Sequence, residues 1–241
     1  MTYFRKTRNV SYKFGDETST VDFPNIAAYT DVIDKLKANT NLYTKYFIQE
    51  GDRPDQVSSL LYEDHQYYWT FFLLNDHVRR SGWPLSNSEL LLKAQDLYPN
   101  TTLVVRSILT DTFPTGTTIQ GNASGVSAKI LRKNIDLGQI IVEGTKAFQA
   151  GETIRYTDAE GTVITDTVYS KSAEYLSAHH YEEDEEYVDI DPESGPGALL
   201  TEKTYFDRLS DENEELKSIN VIKPESIYTI AQMFYSAMAS E

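Results

Sequence analysis

Between residues 42 and 98 the spacing of apolar positions changes several times, and each change marks an element. Residues 43–49 read as a strand with Tyr46 and Ile48 on one face. Glu50-Gly51-Asp52 is a turn, and Pro54 suits the first turn of a helix, where an N–H has no intrahelical partner to lose. Val57, Leu60, Leu61 and Tyr62 form a helical apolar stripe that stops at His65 and Gln66. Residues 68–74 are apolar nearly all round and predict a second, buried helix, ended by Asn75-Asp76. After a turn at Ser81-Gly82-Trp83-Pro84, Ser86 and Glu89 have capping-box spacing and start a third helix through Leu97.

The pattern then becomes β-like. Residues 101–112 read as a strand through Leu103, Val104, Val105 and Ile108. Over 113–172, glycines at 116, 121, 125, 138, 144, 151 and 161 separate short β-rich runs, which predicts an inserted antiparallel barrel or sandwich. Residues 173–215 read as an acidic, irregular segment. Residues 216–222 alternate at Ile219 and Val221, and Pro224 opens a final helix carrying Ile227, Ile230, Met233 and Phe234. At the other end, 1–40 form an arm with helical spacing at Ile26, Tyr29, Ile33 and Leu36.

The expected division is therefore an arm and short helix (1–40), a core segment (41–112), an inserted β module (113–172), the acidic segment (173–215) and a closing strand and helix (216–241). The fold class is α+β. A lone strand at 43–49 would leave its backbone N–H and C=O groups unpaired, and nothing directly after Asn75 offers a partner. Residues 216–222 are predicted to supply it, pairing beside 46–49 across more than 160 residues.

Charge narrows the choice of function. The net charge of −15 is concentrated: residues 173–217 hold 15 acids and 3 bases, whereas 1–172 hold 20 acids and 18 bases. Nucleic-acid binding needs clustered Lys and Arg, and the chain has no such cluster. There is no cysteine, so disulfides and thiolate metal sites are excluded. No stretch approaches the roughly 20 apolar residues of a membrane span, and no apolar run follows the basic first residues as in an export signal. Seventeen Tyr and ten Phe suit cores and interfaces alike.

Candidate chemistry is sparse. His179-His180 with the acids of 182–186 lacks a fixed metal-ligand spacing. His65 and His77 have no accompanying nucleophile and orienting acid. Glu50 and Asp52 flank a turn, which does not separate one neutral from one ionised carboxyl as sugar hydrolysis requires. Gly121 to Gly125 has no Lys-Ser/Thr or helix behind it and is not a phosphate loop. Trp69 at helical spacing reads as core before sugar platform. The expectation is a non-enzyme that needs no cofactor or metal. Its candidate interaction residues are Tyr3, Phe4, Arg5 and Tyr12 of the arm, Trp83 after the aromatic helix, and His180 and Tyr181 in the acidic segment.

Residues 46–52, then 57–61 and Leu73-Leu74-Asn75-Asp76, resemble a LysM motif, a β-α-α unit closed by a second strand; residues 213–224 resemble that closing strand and its trailing proline. More specifically, the aromatic helix 67–76, the following Gly82-Trp83-Pro84-Leu85-Ser86 and the segment 213–222 resemble the small LysM-like baseplate wedge subunit of T4-like contractile-tailed phages. The arm up to Asp16 and residues 40–46 look like that family too. The likeness covers about half the chain, at both ends, and leaves out the glycine-rich insert. It implies a virion protein of the tail baseplate, present in the host cytoplasm during assembly. Such a protein joins neighbouring wedges of a six-fold baseplate through contacts with other wedge subunits, with no nucleic-acid or membrane partner. The alternative is a LysM-type carbohydrate-binding protein that recognises peptidoglycan.

Overall fold

The computed structural model describes residues 9–16, 18–24, 34 and 37–240. It divides into two units: one built from the two ends of the chain, up to Ser86 and from Asn213, and one from Asn87–Glu212. The fold is α+β, as the pattern of elements implies.

In the first unit, strand β3 (Tyr43–Phe47) pairs antiparallel with β13 (Ser218–Ile222). Tyr46 lies opposite Ile219 and Thr44 opposite Val221, so the pairing across more than 160 residues is present. Helix α1 (Pro54–Tyr62) starts with Pro54 in its first turn, where the Arg53 N–H donates to Gln56 Oε1 at 3.0 Å. It ends at Glu63, which takes a left-handed φ of 58°. A 3-10 turn, His65–Tyr68, leads into α2 (Trp69–Leu74), in which only Phe72 is not fully buried. Ile48, Val57, Trp69, Phe71, Leu73, Ile219, Val221 and Phe234 form one apolar core, Phe234 coming from the last helix (Ile227–Ser240).

Asn75 stitches this unit together. Only 2% exposed, it donates from Nδ2 to the C=O groups of Phe71 and Asn220 at 2.8 Å, and its Oδ1 accepts from the Asn220 N–H at 2.8 Å. After it the chain makes a further helix, α3 (Asp76–Ser81), where the sequence pattern implied only a turn. Two arginines in its last turn and Asp76 in its first suit the helix dipole, a signal that an apolar count does not register.

The second unit opens with helix α4 (Asn87–Leu97) and contains a closed barrel. Its strands, in order around the barrel, are β4 (Thr101–Val105), β7 (Gln139–Val142), β6 (Ser127–Asn134), β5 (Thr118–Gly121), β8 (Thr153–Thr157) and β9 (Val163–Ala173). Leu103, Val105, Ile119, Ile130, Ile140, Val142, Ile154 and Val168 fill it, with Phe113 and Phe148. The strand at 101–105, expected in the 41–112 segment, is thus a barrel strand that pairs β7 and β9. Alternation identifies a strand but not its sheet, so the barrel begins before residue 113 and runs through Ala173.

The acidic segment is ordered, contrary to the irregular reading. It contributes a three-stranded sheet, β11 (Glu186–Val188), β10 (Ala178–Glu183) and β12 (Thr201–Thr204), and then helix α5 (Tyr205–Leu216). Buried Tyr205, Leu209 and Asn213 recur every fourth residue of that helix, a core stripe outnumbered by the acids around it. Within this unit Glu174, 3% exposed, pairs with Arg132 and accepts from the N–H and Nδ2 of Asn100. Among the described residues no helix is long and apolar enough to cross a membrane.

Candidate interaction surfaces

Tyr3, Phe4 and Arg5 lie outside the described residues, as does nearly all of the helix expected at 26–36. The described arm is a hairpin of β1 (Asn9–Tyr12) and β2 (Val21–Pro24). Its register sets Val10 opposite Phe23 and Tyr12 opposite Val21. Because side chains alternate along a strand, these four share one face. The other face carries Ser11 and Asp22, joined by a 2.5 Å hydrogen bond. The apolar face is open: its four side chains are 43–57% exposed, and Phe14 beside them is 49% exposed. The Phe14 ring meets both Tyr12 and Phe23 edge-on, at 4.9 and 5.7 Å between centroids. Two-stranded hairpins are marginally stable alone in water, so an amphipathic one with its apolar side uncovered is built to be covered.

Trp83 is half-buried. Its Nε1 donates to the Asp52 C=O at 2.6 Å, and its ring lies against Phe71 and Phe72. It therefore fastens the turn after α3 to the turn before α1 and presents only part of one edge outward.

His180 and Tyr181 lie on β10, where the register with β12 slips between Ala178 and His180. That irregularity re-aims His179, so the adjacent imidazoles meet at 2.8 Å, Nδ1 to Nδ1. His179 Nε2 faces Arg208 Nη1 at 3.0 Å, and His180 Nε2 faces Glu182 Oε1 at 2.8 Å. A guanidinium only donates. His179 Nε2 is therefore the acceptor, its proton sits on Nδ1 and is donated to His180 Nδ1, and His180 donates from Nε2 to the carboxylate. Every bond in this relay is made when both rings are neutral. Burial, and then the Arg208 guanidinium, push the His179 pKa down. The Tyr187 ring stacks on His180. Tyr181 turns the other way, into a cluster with Leu137 and Ala178; burial and the nearby Glu202 push its hydroxyl pKa up to about 12. Arg208 was not singled out in the sequence, and His179 was weighed there only as a metal ligand, because nothing in the sequence marks the slipped register that joins them.

Small-molecule chemistry finds little here. A groove of about 400 Å³ is lined by Gln95, Tyr98, Asn100, Thr145 and Tyr175. The Asn100 side chain in it is already engaged, donating to Glu174 and accepting from the Gly144 N–H. The carboxylate of Glu152 is likewise structural: burial opposes its charge, but the N–H groups of Ser124, Gln149 and Ala123 hold its pKa down. Among the described residues no group of three His, Asp or Glu side chains could hold a metal ion.

Compared with known proteins, residues 1–100 match a family model described as Base plate wedge protein 53. That stretch holds the hairpin, β3, the aromatic helix and Trp83. No curated protein matches the chain. The family match supports a structural protein of the phage tail baseplate, one that contacts other baseplate proteins.

Proposed function

We propose that this protein joins neighbouring wedges of a six-fold phage tail baseplate through protein–protein contacts, without catalysis. The observation that carries the reading is the baseplate match over residues 1–100, within which the arm presents an uncovered apolar face of Val10, Tyr12, Val21 and Phe23. The first unit, with its β-α-α start and remote closing strand, serves as a LysM-like scaffold for that arm. Contacts made by Tyr3, Phe4, Arg5, Tyr12, Trp83 and the surface around His180 and Tyr181 are individually modest. Repetition around a closed ring makes them strong together. Assembly takes place in the host cytoplasm, and the product is part of the virion.

The test is a Phe23→Ser chain supplied in place of the intact one during infection. Free in solution it should melt within about 0.5 kcal/mol of the intact protein, as exposed substitutions do. Baseplates should then form fewer closed rings, with wedges accumulating unjoined. Normal rings with the variant, or a chain missing from purified tails, would overturn the proposal. Micromolar binding of N-acetylglucosamine oligomers measured by calorimetry would favour a carbohydrate-binding protein instead.

A further inference from the structure

The two edges of the β3–β13 sheet are finished differently. In an antiparallel pair, residues alternate between those that exchange backbone hydrogen bonds and those whose N–H and C=O point away from the partner strand. The Ile48 N–H donates to the Lys217 C=O and the Lys223 N–H to the Leu42 C=O, which fixes the phase of the ladder. With the register of Tyr46 opposite Ile219, the outward residues are Ser218, Asn220 and Ile222 on β13 and Tyr43, Lys45 and Phe47 on β3.

On β13 half of the outward groups are taken, those at Asn220 and the C=O of Ile222. The Asn75 side chain holds both the N–H and the C=O of Asn220, and the Tyr62 hydroxyl donates to the Ile222 C=O at 2.9 Å. Along β3, among the described residues, a side chain covers a single outward group, the Phe47 C=O, which accepts from Gln49 Nε2 at 3.1 Å. The Lys45 N–H and C=O and the Phe47 N–H meet no partner among the described residues. Phe47 itself is 54% exposed.

We propose that this outer edge of β3 is a docking site for a third strand, an extended segment of a different subunit that carries a carboxylate opposite Lys45. Main-chain N–H and C=O groups provide the recognition, as in other strand additions, and the side chains provide selectivity. Lys45 argues against a second copy of this chain as the occupant. Two β3 edges meeting antiparallel about their centres set Lys45 against Lys45, and like charges directly opposite destabilise a pair. The same charge attracts an acidic residue there, while Phe47 offers apolar contact at the end of the strand.

The inference rests on the baseplate reading, and its test separates the two. Amide hydrogen exchange is measured on this chain free in solution and within purified tail particles. The Thr44 and Tyr46 amides, which face β13, should be slow in both. The Lys45 and Phe47 amides should exchange fast in the free chain and slow by about tenfold or more in the particle. Lys45→Pro removes an N–H that β13 does not use, so the free variant should melt like the intact chain yet enter particles poorly; Lys45→Ala, which keeps that N–H and loses only the charge, should enter less well than the intact chain but better than Lys45→Pro. Thr44→Pro, which removes a ladder bond, should unfold the sheet. A chain absent from particles would overturn both readings. A chain present with unprotected Lys45 and Phe47 amides, a Lys45→Pro variant incorporated as well as the intact chain, or a dimer formed through β3 would overturn this one alone.

Discussion

Each of the six barrel strands is flanked on both sides by another, so the barrel has no edge, whereas the sheet of the first unit has two strands and therefore two edges. The barrel's apolar side chains come from one continuous stretch of chain and fill a closed interior. The first unit draws its core from residues 48–78 and 219–234 and rests on helices. The difference teaches how the labour is divided. A closed barrel needs nothing from outside to satisfy its ladder. A two-stranded sheet must find other closures, and this one has more of them on β13 than along β3. The open hairpin belongs to the same unit. Closed strand pairing is concentrated in one region and unfinished surface in the other.

That contrast breaks most completely if residues 213–241 are deleted. β13 and the last helix go together, so the first unit should lose its melting transition altogether while the barrel keeps its own. Calorimetry showing a 1–212 chain with both transitions would refute it. Next in size is Trp69→Ala. Trp69 is 5% exposed, with its ring 4.7 Å from that of Phe234. Removal of a buried aromatic of that size should cost about 3–5 kcal/mol, a large share of a unit's stability, and should shift only the first unit's transition. An unchanged transition with lost baseplate entry would move Trp69 from core to interface. Asn75→Ala should cost less, about 1–3 kcal/mol, because it strands buried backbone groups on Asn220. Hydrogen exchange should show the loss first at Asn220, and a protected Asn220 amide in the variant would contradict it.

The smallest effect concerns the barrel-containing unit and pH. His179 holds its proton less readily in the fold than in the unfolded chain, so acid favours unfolding. The groups that face it are Arg208 and Arg132, which add to the depression, Glu212, which opposes it, and His180. Stability should therefore decline as pH falls through the ordinary histidine range, near about 6.5, and continue to decline until the folded-state pKa is passed. His179→Gln should flatten that slope in melting curves. An unaltered slope would assign it to another group.

The sequence made some of this legible and hid the rest for identifiable reasons. The β3–β13 pairing could be anticipated because an unpaired strand demands a partner and the alternation at Ile219 and Val221 ends at a proline. The buried aromatic helix announced itself by density alone. Helix α5 did not, since its stripe of Tyr205, Leu209 and Asn213 lies within a strongly acidic run. Sheet membership of β4 was hidden because period gives strand identity and not neighbours. The open edge was the least visible feature: it depends on which side of β3 each N–H points to, and no side-chain pattern records that.

The meeting of the chain's two ends also fixes an order of events at the ribosome. Val221 pairs with Thr44, 177 residues earlier. At about 5–20 residues per second, roughly 10–35 s pass between synthesis of the first strand and of its partner. Throughout that interval Trp69, Phe71 and Leu73 have no finished core to enter, while the barrel, complete by Ala173, is free to fold. The nascent chain thus passes through a stage with its closed barrel built and its most aromatic part waiting. Residues 218–234, made after the barrel, decide whether the segment made before it becomes a folded unit at all.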